Sequence, residues 1–339
     1  MRLLFLAVPL LAQISPELHP NQSATFRLLA PKATAVTLWA DWMPNAQPQP
    51  LAKDPNGLWS LTTGPLEPGG HLYWFNLDGL PIADPINPVI KLRQRTSASI
   101  VEIPSPTPAP WDLNDVPHGT VITEWRHSKT LGRTERVFLY LPPGYEGGST
   151  RYPVLYLIHG KGDIPDSWTN AGRANFILDN LIASKKARPM ILVMPAGHAA
   201  PYDPANPTPP ANAPLFTQYL TNELIPVLEA KYRIAPGPRN RALAGFSMGG
   251  ELTIHTAVTH PQLFSRHGVF SAGPAAPVSG QLPNFWISAG DSDTALPRAR
   301  AFAEQTKTNL NFYEGPHNWT RWRLSLNDFA QLLFPATRR

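Results

Sequence analysis

The chain has 339 residues, enough for about two domains, and its 42% hydrophobic and 16% charged content suits packed cores and argues against a largely disordered polymer. A net charge of +5 without a dense Lys/Arg run gives no indication of nucleic-acid binding. With no cysteine there can be no disulfide, no thiolate chemistry and no lipid-anchor cysteine.

Residues 1–12 read as a secretory signal peptide. Arg2 supplies the positive start, residues 3–11 the apolar core, and Ala12 the cleavage residue. That apolar run is too short to span a bilayer, so the expected location is secreted or periplasmic, with no membrane span. Residues 16–103 then read as all-β. Strand candidates at 24–30, 35–40, 58–62 and 71–77 are separated by Pro31-Lys32, Asp54-Pro55-Asn56-Gly57, Pro68-Gly69-Gly70 and Asp78-Gly79. Short strands between such turn formers suggest a small sandwich. Trp39, Trp42, Trp59 and Trp74 in this region either stack on sugar rings or serve as core and rim. Residues 104–110 hold four prolines in seven positions, a stiff connector or strap.

From residue 111 to 339 the texture changes to alternating strand and helix. The strands are expected at 137–141, 154–158, 190–194, 241–244, 268–271, 284–288 and 310–313. Helices are expected at 176–182, 216–231 with a kink at Pro226, 250–260, and 322–334. The continuous apolar run Val154-Leu155-Tyr156-Leu157-Ile158 is what a strand covered on both faces requires. Strand–helix alternation of this kind predicts an α/β fold, and with the serine-bearing elbow Gly245-Phe246-Ser247-Met248-Gly249 it argues an α/β-hydrolase sheet following the small all-β domain.

Gly245-Phe246-Ser247-Met248-Gly249 fits G-x-S-x-G, which places a serine on a sharp strand-to-helix turn. A serine hydroxyl is a weak nucleophile and needs a base, and the base needs an orienting carboxylate. In this fold the order along the chain is Ser, acid, His. Of the histidines after Ser247, His317 follows the last predicted strand, where ligands gather in open α/β sheets. Asp291 and Asp293 both follow the strand at 284–288, and either reaches the imidazole; Glu314 is a more distant candidate. An oxyanion hole needs two N–H donors. Met248, next after the serine, is one, and the turn His159-Gly160-Lys161-Gly162 offers the Lys161 N–H as the other. Trp168 and Trp319, near the predicted active edge, are candidates to line an aryl or sugar pocket, with structural packing as the alternative. No metal-ligand spacing and no G-x-G-x-x-G pattern appear, so no metal and no cofactor are expected.

Five blocks of the second domain resemble carbohydrate esterase family 1, the feruloyl and acetyl-xylan esterases. They are residues 155–160 (LYLIHG), 172–182 (GRANFILDNLI), 190–198 (MILVMPAGH), 241–250 (RALAGFSMGG) and 317–323 (HNWTRWR). The resemblance implies an α/β-hydrolase fold and a Ser247–Asp293–His317 triad, since the family's acid sits three residues after the glycine ending its strand, here Gly290. It also implies oxyanion donors at Lys161 and Met248. His159, in the His-Gly turn, is a further candidate to bind substrate. Two departures stand out. Lys161 interrupts the usual glycine run after the histidine, and Gly315-Pro316-His317 replaces Gly-Gly-His. Residues 16–103, through FRLLAP at 26–31, GLW at 57–59, YWF at 73–75 and DPINP at 84–88, resemble the early-set, immunoglobulin-like domains related to carbohydrate-binding module family 48.

The expected function is a secreted serine esterase deacylating plant polysaccharide, of feruloyl or acetyl-xylan type. Its partner would be an acylated polysaccharide or oligosaccharide, with glycan contact by the N-terminal domain as a further expectation. A siderophore esterase or an acyltransferase with the same triad is the second reading. An inactive glycan-binding protein is the third.

Overall fold

The computed structural model describes residues 14–335, except 202, 204, 207, 280 and 281. The expected signal peptide at residues 1–12 lies outside the described residues. The chain divides after Thr107 into two units.

In the first unit ten strands form two antiparallel sheets: β1 (Glu17–Leu18), β2 (Ala24–Leu29), β3 (Val36–Ala40), β4 (Gln49–Pro50), β5 (Ala52–Lys53), β6 (Leu58–Thr63), β7 (Gly69–Leu77), β8 (Leu80–Ile82), β9 (Ile90–Lys91) and β10 (Ala98–Ile103). One sheet runs β1-β2-β6-β5 and the other β4-β3-β7-β10-β9, with β8 on β7. Alternation decides which side chains enter the core. Phe26 and Leu28 on β2 meet Val36 and Leu38 on β3 and Tyr73 and Phe75 on β7, all buried. Trp59 is buried in the same core, its indole N–H donating to the Ala30 carbonyl, and Trp42 stacks on Phe26. These two tryptophans are packing residues. Trp39 and Trp74, opposite each other on β3 and β7, stack at 3.7 Å on the other face.

The second unit carries an eight-stranded sheet. Its strands are β11 (Thr120–Ser128), β12 (Arg133–Leu141), β13 (Val154–Ile158), β14 (Ile191–Met194), β15 (Arg241–Phe246), β16 (Arg266–Phe270), β17 (Phe285–Gly290) and β18 (Leu310–Tyr313), in the order β11-β12-β14-β13-β15-β16-β17-β18. From β14 to β18 all pairings are parallel, and β11–β12 and β12–β14 are antiparallel. All five residues of β13 are buried, as a strand covered on both faces requires. The helices are α1 (Ala174–Ala183), α2 (Asn212–Tyr219), α3 (Ile225–Lys231), α4 (Met248–Thr259), α5 (Leu296–Thr306) and α6 (Trp319–Gln331). The kink expected near Pro226 is a π-helical turn, Leu220–Leu224, between α2 and α3. Proline lacks the N–H that would continue the regular ladder, and the wider turn absorbs the mismatch.

This topology matters because parallel strands deliver all their carboxyl ends to one edge. The segments that follow β13, β15, β16, β17 and β18 therefore converge there, whatever their separation in sequence.

Candidate active site

Ser247 sits between β15 and α4 with φ 52° and ψ −122°, a conformation that side-chain-bearing residues rarely adopt. The glycines on either side explain how the chain tolerates it. A Cβ on Gly245 would lie 2.5 Å from the Gly249 carbonyl carbon, and one on Gly249 would lie 2.5 Å from the Ile158 carbonyl oxygen. Only backbone fits where strand, turn and helix cross. The Ser247 N–H donates to the Phe270 carbonyl at 2.9 Å, tying the turn to the end of β16. The serine is half-buried at the N-terminus of α4, where the helix dipole favours negative charge.

Asp293 follows β17 and His317 follows β18. His317 Nδ1 lies 2.8 Å from Asp293 Oδ1, and the carboxylate is buried while the imidazole is partly open. Because a carboxylate only accepts, the ring proton sits on Nδ1 and Nε2 is left as the basic nitrogen. Burial alone would push the Asp293 carboxyl up. The hydrogen bond and charge of His317, with Ser271 and the Ala295 N–H, outweigh it and hold the group below its ordinary value. Asp291 faces elsewhere. Its carboxylate accepts the Gly315 N–H at 2.8 Å and closes the loop that carries His317.

Lys161 is exposed in the turn after β13, and Met248 opens α4. The contact of Gly249 with the Ile158 and His159 carbonyls sets the first turn of α4 against the end of β13, from which Gly160 and Lys161 leave. The turn is clamped from its other side. His159 Nε2 accepts the Gly197 N–H at 2.9 Å, so its proton is on Nδ1, which bonds the Gly160 carbonyl at 2.9 Å. The imidazole of His198 accepts the Gly162 N–H at 3.1 Å. Asn212, at the start of α2, bonds the Gly197 carbonyl and the N–H groups of Ala199 and Ala200.

The three residues expected to contact substrate are all buried in this structure. His159 uses both ring nitrogens within the protein and pins the turn. Trp168 and Trp319 are also fully buried. They meet edge-to-face at 5.5 Å, and both pack on the Phe246 ring, at 5.4 and 4.8 Å. They form an aromatic base under the elbow. Trp322, which no sequence pattern marked for a role, completes it. Its indole stacks on Phe246 at 3.9 Å and meets the His317 ring edge-on at 5.0 Å. The base thus bears on both the serine turn and the histidine loop. Among the described residues, no cluster of three or more His, Asp or Glu is arranged to hold a metal ion.

An α/β sheet with a strained serine, an Asp–His pair and a clamped turn all following strands at its carboxyl edge defines an α/β-hydrolase-like protein. Comparison with known proteins takes this further. The family model described as "Putative esterase" matches residues 128–307. The chain is 33% identical over 341 residues to an endo-1,4-beta-xylanase/feruloyl esterase of Xylanibacter ruminicola, covering 94% of this chain and 46% of that protein. It is 36% identical over 126 residues to esterase Rv1288 of Mycobacterium tuberculosis, covering 36% of this chain and 26% of that one. The chain thus spans less than half the length of these relatives. Among solved structures, the fold is similar to that of a CE1 ferulic acid esterase from Anaeromyces mucronatus, with TM-score 0.57, 22% identity, and 66% and 93% of the two chains covered. It is also similar to that of the enterobactin esterase of Shigella flexneri, with TM-score 0.68, 18% identity, and 92% and 94% covered. The chain belongs to the esterase family whose model it matches, and its relatives are carboxylic ester hydrolases.

Proposed function

We propose that this protein is a serine esterase that removes feruloyl or acetyl groups from acylated plant polysaccharide, through Ser247, His317 and Asp293. The carrying observation is the 2.8 Å bond between His317 and buried Asp293, which follow strands of the same sheet edge as the serine in its strained elbow. In this reading Ser247 Oγ attacks the ester carbonyl and His317 Nε2 takes its proton. Asp293 keeps the imidazole in the Nδ1–H tautomer and stabilises the imidazolium. The Lys161 and Met248 N–H groups receive the oxyanion; losing one such donor typically costs about a hundredfold to a thousandfold in turnover. The tetrahedral species collapses, His317 returns the proton to the departing sugar hydroxyl, and water repeats the sequence on the acyl-enzyme.

The feruloyl preference is supported by the Xylanibacter ruminicola relative, which matches nearly the whole chain and whose name includes that activity. Export through a leader at residues 1–12 would suit a polymeric substrate. Glycan contact by the first unit rests on the stacked pair Trp39 and Trp74. A second reading, hydrolysis of a cyclic siderophore ester, is favoured by the fold shared with enterobactin esterase along nearly the full chain.

The test is an ester panel with the full chain and its Ser247→Ala variant, using p-nitrophenyl acetate, methyl ferulate, acetylated xylan and a cyclic catecholate triester. Ferulate or acetate release that depends on Ser247 supports the proposal. Turnover of the triester alone replaces it with the second reading. No hydrolysis of any member overturns both esterase readings.

A further inference from the structure

Residue 271 directly follows β16 and is a fully buried serine with φ 51°, in the left-handed region where glycine is the usual occupant. A serine here carries a steric cost that glycine would not. Its surroundings suggest what the side chain returns. The Ser271 N–H donates to the Ser288 carbonyl at 2.7 Å, on the strand leading to Asp293. The preceding carbonyl, of Phe270, accepts the Ser247 N–H. Residues 270 and 271 therefore bridge the strand that presents the serine and the strand that presents the acid.

The carboxylate of Asp293 is held unevenly. Oδ1 accepts from the Ala295 N–H at 2.7 Å and from His317 Nδ1 at 2.8 Å. Oδ2 is buried and closes no hydrogen bond of full geometry. Ser271 is among the groups that hold this carboxyl below its ordinary value. Contacts in a hydrolytic site are often loose at rest and tighten as charge develops on the base.

We propose that Ser271 is a positioning residue for the acid: its hydroxyl donates to Asp293 Oδ2 and stops the carboxylate from rotating, so that Oδ1 stays aimed at His317 Nδ1. The proton remains on Ser271 throughout, and no bond to substrate is made. This role rests on the serine-esterase reading above, and it accounts for a strained, buried serine where glycine would fit the backbone better.

Two variants separate the hydroxyl from the backbone. Ser271→Ala removes the hydroxyl and keeps the left-handed strain, whereas Ser271→Gly removes both. With p-nitrophenyl acetate, kcat should fall about tenfold to a hundredfold in both, as a misplacement of catalytic groups costs, with KM within about twofold. The glycine variant should melt within about 3 °C of the wild type. A second readout needs no turnover: the low-field Nδ1–H proton resonance of His317, assigned by its loss in His317→Ala, should shift in both variants. An unchanged kcat and an unmoved resonance would overturn the proposal. So would an activity loss confined to Ser271→Ala and matched by a lower Tm, which would mark strain or packing as the cause. If hydrolysis survives Ser247→Ala, the serine-esterase reading fails on its own. The resonance then still decides whether Ser271 holds the Asp293–His317 pair.

Discussion

The hydrogen bond from His317 to Asp293, at 2.8 Å, leaves Asp291 outside the pair although it is only two residues away. In the loop after β17 the chain turns between them. Asp293 is drawn inward, while Asp291 stays at the surface and braces the Gly315 N–H. Asp293→Asn should lower kcat about a thousandfold to ten-thousandfold, because an amide at Oδ1 favours the wrong tautomer of His317. Asp291→Asn retains an acceptor for Gly315 and should stay within about threefold of wild type. Steady-state kinetics on a soluble ester checks both, and equal losses would count against Asp293 as the acid.

Strain at the elbow makes a prediction with opposite signs for stability and activity. Ser247 holds φ 52°, ψ −122°, at a typical cost of about 1–3 kcal/mol for a residue with a Cβ. Glycine adopts this conformation freely but loses more entropy on folding, by about 0.5–1 kcal/mol. Ser247→Gly should therefore be inactive yet more stable than wild type by about 1 kcal/mol, measured by urea unfolding. A variant clearly less stable than wild type would show that the elbow stores no strain.

Gly249 should tolerate no side chain. A Cβ there would lie 2.5 Å from the Ile158 oxygen and 2.7 Å from the His159 oxygen, both backbone atoms of a central strand and its turn. Gly249→Ala must push α4 away from that turn, at about 1–3 kcal/mol of stability. The same shift displaces the Met248 N–H relative to Lys161, so kcat should fall about a hundredfold or more. Calorimetry and kinetics together test this, and a stable, fully active alanine variant would sink the packing argument.

Acid sensitivity is expected from His267 on β16. Burial pushes its imidazole down to about 4, with the Asn284 carbonyl opposing only in part. In the unfolded chain the ring has its ordinary value near 6.5, so between pH 6.5 and 4 the unfolded state binds the extra proton. The contribution to stability is complete above about pH 6.5 and is lost as pH falls toward 4, amounting to about 3 kcal/mol. His267→Phe, packed between Phe264 and Phe285, removes the titrating group. Urea unfolding at pH 7 and pH 4.5 should show the variant losing about 2 kcal/mol less than wild type. Equal losses in the two proteins would assign the acid limb to other groups.

Much of the fold was legible because its signals are local. The all-apolar run at 154–158, the glycines around Ser247 and the turn formers between the early strands each mark their own element. The two elements missed in the second unit show the limit. β11 is an edge strand with most side chains exposed, so no buried stripe announces it, and α5 buries little beyond Ala299, Phe302 and Ala303. The candidate site was legible in part. Chain order named Ser247 and His317, but Asp291 and Asp293 stayed open until the resemblance weighted one of them, because spacing along a loop does not tell which carboxylate turns inward.

What the sequence by itself determined is the inventory: a serine between close-packing glycines, an aspartate and a histidine after successive strands, and a His-Gly turn to face them. Those features depend on residue type and order. Only the tertiary structure decided direction and burial. It put Trp168 and Trp319 beneath the elbow, locked His159 into the turn, and set Trp322 against His317. These outcomes depend on what lies on the far side of each group, which is contributed by strands and helices distant in sequence.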